Sequence, residues 1–234
     1  MKKRFLAICI AVAFLYSLAV GFCVKALYAP RTVAATDGVI RIVLDAGHGG
    51  VDGGVVGKTT GLKESDVNLS IVYELKSALE GFGFVVDLTR RTEGGLYGAA
   101  TKGFKKRDMQ KRKELIEESD PDLVISIHQN FYPSKRTRGG QVFFRKDNKE
   151  GEKLALALQK KLNALYALEK VSGRKVASGD FFMLQCADCP SVLVECGFLS
   201  SPADEALLNR EVWRKRLAEF LAEGVLGYFA ETTA

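Results

Sequence analysis

The sequence predicts one α/β domain of three layers, a mostly parallel sheet flanked by helices, behind an N-terminal apolar segment. Three observations carry this prediction. Short aliphatic runs recur along the chain, each bounded by glycine, proline or polar residues. Segments with apolar residues three or four apart lie between them. The length of 234 residues suits one domain with an appendage. Strands that alternate with helices form a parallel sheet covered on both faces.

The elements follow in order. Val39 to Leu44 (VIRIVL) reads as a buried strand running into a glycine-rich loop, Asp45 to Gly61. From Ser65, the residues Leu69, Val72, Leu75 and Leu79 fall at helical spacing, and Gly81 ends the helix. Phe84 to Leu88 is the next strand. Met109 to Ser119 is a polar helix that stops before Pro121, and Leu123 to Ile127 is a buried strand leading into His128. Gln141 to Phe144 is a short strand, Lys153 to Leu168 a helix rich in Leu and Ala, and Phe181 to Leu184 another short strand. Ser191 to Glu195 reads as a central strand, and Val212 to Phe229 as the closing helix. No internal repeat or low-complexity tract interrupts the pattern.

Charge is distributed unevenly. The formal net charge is +6, but residues 1–36 hold Lys2, Lys3, Arg4, Lys25 and Arg31 and no acid. That leaves 29 basic against 28 acidic side chains from Asp37 onward, so the domain is nearly neutral and nucleic acid is not expected as a partner. An apolar fraction of 47% with 26% charged residues excludes a wholly disordered chain and a multi-span membrane protein.

Phe5 to Val24 is an uncharged, mostly apolar run behind the Lys2-Lys3-Arg4 cluster. That order of charge directs the following chain outward across a membrane. Residues 1–36 are therefore expected to be a signal peptide or membrane anchor with a linker. The small residues Val33-Ala34-Ala35 offer a cleavage point if the segment is cut. Residues 37–234 form the exported domain, held at the membrane through residues 5–24 if the segment is retained. Outside the apolar segment only Cys186, Cys189 and Cys196 remain, an odd number with no second CxxC. They are read as small thiols rather than a metal site or redox pair.

The unusual residues collect at strand ends. His48 follows the first strand, His128 ends the third and Glu195 ends a later one, while Glu64 closes the glycine-rich loop. In an open α/β sheet, ligand sites lie beyond the carboxyl ends of the strands. Both histidines of the chain and two carboxylates are thus brought to one rim. Two neutral imidazoles and a carboxylate, His48, His128 and Glu64, are a usual ligand set for catalytic zinc, and zinc lowers the pKa of a bound water to ~7. Glu195, a carboxylate that is not a ligand, suits proton transfer from that water to a leaving amine. Taken singly, each residue has an ordinary reading: a hydrogen-bonded histidine at a strand end, or a glutamate capping a helix.

Those residues sit in motifs that resemble the zinc-dependent N-acetylmuramoyl-L-alanine amidases of bacterial cell walls, the amidase-3 family. The motifs occur in order over about residues 39–229: IVLDAGHGGVDGG (Ile42 to Gly54), KESD (Lys63 to Asp66), LTRRT (Leu88 to Thr92), Arg112, DLVISIHQN (Asp122 to Asn130), GGQVFF (Gly139 to Phe144) and PSVLVECGFLSS (Pro190 to Ser201). The resemblance implies zinc held by His48, Glu64 and His128, with Glu195 as the catalytic carboxylate. It further implies hydrolysis of the amide joining N-acetylmuramic acid to L-alanine in peptidoglycan. Within the family the chain is most similar to the spore-cortex amidases that take part in muramic-δ-lactam formation. That likeness implies a role in germination, export to the cell wall or the forespore intermembrane space, and a regulatory protein partner. Ala46 stands where the family usually has proline and Ser201 where it usually has asparagine, and Cys196 follows the catalytic glutamate.

Two other readings are carried forward. One is a zinc exopeptidase of related fold, and the other is a non-catalytic wall-binding protein. The basic residues Lys135, Arg136 and Arg138 are read as a solvated loop, Arg112 as an ion-pair partner inside the fold, and Leu96 to Phe104 as a loop whose role stays open.

Overall fold

The computed structural model describes residues 38–99 and 102–232. The predicted signal peptide or anchor and linker, residues 1–36, with the apolar segment Phe5 to Val24, lie wholly outside the described residues. Among the described residues no helix is long and apolar enough to cross a membrane.

Among the described residues six strands form one sheet: β1 (Arg41–Ala46), β2 (Val85–Leu88), β3 (Leu123–Asn130), β4 (Gln141–Phe144), β5 (Ala177–Ser178) and β6 (Ser191–Phe198), in the order β2-β1-β3-β6-β4-β5. The pairs among β2, β1, β3 and β6 are parallel, and β4 runs antiparallel to β6. The helices are α1 (Glu64–Gly81), α2 (Phe104–Ser119), α3 (Lys149–Ala167), α4 (Pro202–Leu208) and α5 (Glu211–Thr232). The predicted α/β domain with a mostly parallel sheet is the architecture observed.

Side-chain alternation along the strands divides the interior. Ile42 and Leu44 of β1, Leu123, Ile125 and Ile127 of β3, and Val192 and Val194 of β6 enter the main core with α1, α3 and α5. Burying one such aliphatic side chain contributes ~1.5–3 kcal/mol. Val43 and Val124 point the other way, into a smaller cluster with Ile116 of α2, Met183 and Cys186. Continuing that alternation places Asp45 of β1, Ser126 and His128 of β3, and Glu195 of β6 on the face of the smaller layer, toward the carboxyl rim.

Several elements differ from the sequence expectation: β6 runs on to Phe198 and α3 begins at Lys149, and four differences bear on the site or the topology. The segment Phe181 to Leu184 is not a strand: Phe182–Gln185 is a turn of 3-10 helix, and the strand beside β4 is Ala177–Ser178. The run is apolar at every position and so has no alternation to hold a sheet edge. It turns instead, with Met183 filling the smaller core. Helix α2 begins five residues before Met109, where Phe104 to Asp108 are mostly charged and show no apolar stripe. Strand β3 runs through His128 to Asn130, with an irregularity in register between those two residues. The short helix α4, opened by Pro202 at its first position, was not anticipated.

Candidate active site

His48 sits in the turn after β1 with φ at 62°, a left-handed conformation uncommon outside glycine. Buried guanidinium groups hold that turn. Arg112 donates to the carbonyls of Ala46 at 2.7 Å and His48 at 2.6 Å, and Arg90 donates to Ala46 at 2.9 Å and Gly47 at 3.2 Å. Asn68 of α1 donates to the Gly47 carbonyl at 3.1 Å. The backbone freedom that Ala46 would otherwise have is therefore taken up by side chains from three other elements. Gly47 is required by space, since a Cβ there would lie 2.2 Å from the His128 ring.

Arg112 is itself neutralised from below. It meets Asp45 at 2.5 Å and Asp108 at 2.6 Å, with all three side chains buried. Asp45 also accepts from Thr89 and Ser126, both at 2.6 Å. Burial alone would raise the Asp45 pKa, but Arg112 and these hydroxyls outweigh it and hold the carboxyl down at about 2. This is the interior ion pair expected of Arg112.

Above this base lie the three predicted metal ligands. Glu64, the first residue of α1, is 2% exposed. Its Oε1 lies 3.0 Å from His128 Nδ1 and 3.3 Å from His48 Nε2. The same oxygen accepts from the Gln129 amide at 3.0 Å, and Oε2 accepts from the Val55 amide at 2.8 Å. Burial disfavours the charged carboxylate, yet hydrogen bonds from His128 and His48 prevail and keep its pKa far below the usual range. A donor atom from each of His48, Glu64 and His128 lies within 4.8 Å of the other two, a cluster able to hold a metal ion. Ligands ~2 Å from a tetrahedral ion stand about 3.3 Å apart, so the pairs at Glu64 already approach that spacing.

Asp52 completes the support of His48. Its Oδ2 lies 3.1 Å from His48 Nδ1, on the opposite side of the ring from Glu64. Burial lowers the His48 pKa, but Glu64 and Asp52 together overcome it and raise the value. A carboxylate on the far nitrogen of a histidine fixes its tautomer and orientation.

Glu195 stands beside His128 in register on the neighbouring parallel strand. Its Oε2 is buried and has no hydrogen-bond partner. Burial pushes its pKa up to about 7, with His128 pulling it down and Glu64 pushing it up. An unpartnered carboxylate oxygen beside a His-Glu-His cluster is costly unless something else occupies the space between them.

Residues 42–226 match the family of N-acetylmuramoyl-L-alanine amidases, Amidase_3. The chain belongs to this family. The amidase is 35% identical over 193 residues to the germination-specific N-acetylmuramoyl-L-alanine amidase of Bacillus subtilis, covering 81% of this chain and 80% of that protein. Among solved structures it resembles the CwlD amidase of Clostridioides difficile, determined in complex with the GerS lipoprotein. The TM-score is 0.78 at 32% identity, with 82% of this chain and 99% of that one covered. It also resembles an N-acetylmuramoyl-L-alanine amidase of Clostridium difficile 630, with a TM-score of 0.71 at 28% identity over 82% and 97% of the two chains.

The surroundings of the amidase site sharpen several expectations. Arg138 is not a free cation: it pairs with buried Asp204 at 2.8 Å, while Lys135 and Arg136 are exposed as expected of a solvated loop. The open question of Leu96 to Phe104 has a structural answer at its start, where the Leu96 amide donates to Asp108 and the Tyr97 hydroxyl accepts from the Val51 amide at 2.6 Å. Leu96 and Tyr97 thereby tie the start of that segment to α2 and to the His48 loop. Cys186, Cys189 and Cys196 are free thiols, and burial pushes Cys186 up to about 12 and Cys189 up to about 11, leaving them poor nucleophiles. Asp52, Asn68 and Arg90 were not singled out from sequence, although Asp52 and Arg90 lie inside the quoted motifs.

Proposed function

We propose that His48, Glu64 and His128 hold a zinc ion and that the amidase hydrolyses the amide between the lactyl group of N-acetylmuramic acid and L-alanine of the stem peptide. The observation that carries this reading is the unpartnered Glu195 oxygen beside a two-nitrogen, one-oxygen donor cluster. Such a donor set suits zinc, and when bound the ion supplies Lewis acidity to a carbonyl and to a water molecule. The chain's own residues do the rest. Asp52 holds Nδ1 of the His48 ring at 3.1 Å, which leaves Nε2 facing the donor cluster. Glu195 takes a proton from the attacking water as the carbon–oxygen bond forms, then delivers it to the alanine nitrogen as the carbon–nitrogen bond breaks. N-acetylmuramic acid with a free lactyl carboxylate and a stem peptide with a free alanine amine result.

The likeness to the germination-specific amidase of Bacillus subtilis supports a role in spore-cortex maturation, with muramic-δ-lactam formation downstream. For residues 1–36 we propose a signal peptide or membrane anchor that delivers the domain to the cell wall or the forespore intermembrane space. A protein partner also fits this reading, because the Clostridioides difficile neighbour is found with the GerS lipoprotein. The test is mass spectrometry of purified peptidoglycan after incubation with the zinc-loaded protein. N-acetylmuramic acid freed of its peptide and intact stem peptide are the expected products. Release of free amino acids with the lactyl amide intact would identify an exopeptidase instead, and binding without release would identify a wall-binding protein.

A further inference from the structure

A cavity of about 200 Å³ adjoins the donor cluster. His48 and His128 line its cluster end, and Tyr97, Phe104, Met109 and Met183 supply apolar lining. The aromatic part of that lining is set in place in advance. The Tyr97 and Phe104 rings meet edge to face at 5.4 Å, and the Tyr97 hydroxyl is tied to the Val51 amide. Lining that is already ordered lowers the entropic cost of binding.

The charged groups of the lining are largely paired with one another. Besides the histidines the cavity is lined by the carboxylates Asp45, Asp52 and Asp108 and by the cations Lys105 and Arg112. Asp45, Asp108 and Arg112 satisfy one another, so among the described lining residues Lys105 is the cation left with donors to offer. Its side chain is 69% exposed, and its ammonium lies 3.6 Å from Asp52. The cavity therefore combines apolar and aromatic surface with one donor at its mouth, which suits an uncharged acetamido sugar.

Position gives the same answer independently. His128 on β3 lies between the β1 turn that carries His48 and the β6 position of Glu195. The cavity is lined mainly from β1, the turn after it and α2, with Met183 of the 3-10 turn at one wall, and Glu195 does not line it. A leaving amine that receives its proton from Glu195 must lie toward β6. The acyl half of the same bond then extends the other way.

The geometry points to this cavity as the subsite for the N-acetylmuramoyl half of the substrate, its acetamido group and one pyranose face against Tyr97, Phe104, Met109 and Met183, with Lys105 as donor at the rim. This inference rests on the amidase reading above.

Two measurements on the zinc-loaded protein keep the inference and that reading apart. The first compares kcat/KM for an N-acetylmuramoyl peptide with that for the same peptide carrying only a lactoyl group. The wild-type protein is expected to prefer the muramoyl substrate at least tenfold, in line with the worth of a well-filled pocket. Met109→Trp, which fills the cavity, is expected to bring the ratio close to one, and Lys105→Gln, at an exposed position, to lower it severalfold through KM. A wild-type ratio near one, or a ratio unchanged in both variants, overturns the subsite. The second measurement needs no turnover. The chain has three methionines, Met1, Met109 and Met183, so methyl-labelled methionine NMR with the uncharged N-acetylmuramic acid methylamide reads the cavity directly. Shifts of the Met109 and Met183 methyls support the subsite, and unmoved resonances at saturating ligand overturn it. Cleavage of neither substrate counts against the amidase reading, while the methyl shifts still decide the subsite.

Discussion

Glu195 and His128 occupy the same register position on adjacent parallel strands, and strand alternation puts both side chains on the face of the smaller helical layer. The pairing places a carboxylate beside a metal-ligand candidate without making it part of the donor cluster. Glu195→Gln keeps the size and burial of the side chain and removes only its ability to carry a proton. Turnover is expected to fall by ~10² to 10⁴-fold, the usual range for a general acid–base group. Zinc content and thermal stability are expected to stay within error of wild type. Wild-type turnover in this variant would remove Glu195 from the mechanism.

Metal binding gives a second set of outcomes. An ion that binds only the folded state stabilises it by about 2.7 kcal/mol at a hundredfold excess over Kd. A rise in Tm with added zinc is therefore expected for wild type and not for His128→Ala, with elemental analysis reporting the loss directly. Asp52→Asn leaves all three ligands in place but weakens the anchor on His48 Nδ1. Zinc affinity is expected to drop 10- to 100-fold, as for other partners that orient ligating histidines. Competition with a chelator measures it, and an affinity equal to wild type would mean that Asp52 does not position the ring.

The four principal residues, His48, Glu64, His128 and Glu195, were legible because each sits at the end of an aliphatic run or of a glycine-rich loop, where polar side chains need a reason to be. The strands were legible for the same cause: Leu123 to Ile127 and Ser191 to Glu195 carry dense aliphatic sequence. What stayed hidden acts through the backbone. Arg90 is 2% exposed and Asn68 fully buried, but both work by donating to turn carbonyls, and no residue spacing announces such a bond. Asp52 is concealed differently, since its partner His48 is only four residues away across a turn whose shape depends on a positive φ. The first turn of α2 was missed because Lys105, Lys106 and Arg107 follow Phe104 and give no helical apolar period.

Arg112 is expected to be the residue on which the rim depends most for stability. Replacing it by Met leaves Asp45 and Asp108 buried without a countercharge and frees the carbonyls of Ala46 and His48. Breaking one partner out of a buried ion pair costs ~3–5 kcal/mol. Denaturant unfolding is expected to show that loss as a lower midpoint with an unchanged m-value. Arg112→Lys keeps the charge but not the fork that reaches two carboxylates and two carbonyls, so it is expected to recover only part of the loss. Full recovery by lysine would mean that charge alone matters here.

The same network predicts how stability depends on acid. Asp45 has a pKa of about 2 in the folded protein, below its ordinary value of 3.8, because Arg112, Ser126 and Thr89 outweigh the effect of burial. Between those two values the unfolded chain binds more protons than the folded one, so stability rises with pH across that window. The contribution is complete above pH ~4 and is lost as pH falls through about 2; it amounts to roughly 2 kcal/mol. Glu64 and Asp52 are lowered as well and add to the same acid loss. Unfolding free energies measured from pH 6 down to pH 2 isolate the share of Asp45. Asp45→Asn is expected to be less stable than wild type at neutral pH and to show a shallower acid slope, the missing part approaching one proton, or ~1.4 kcal/mol per pH unit. Parallel curves for the two proteins would mean that Asp45 does not titrate in this window, and the strong pairing with Arg112 would have to be abandoned as the cause of acid sensitivity.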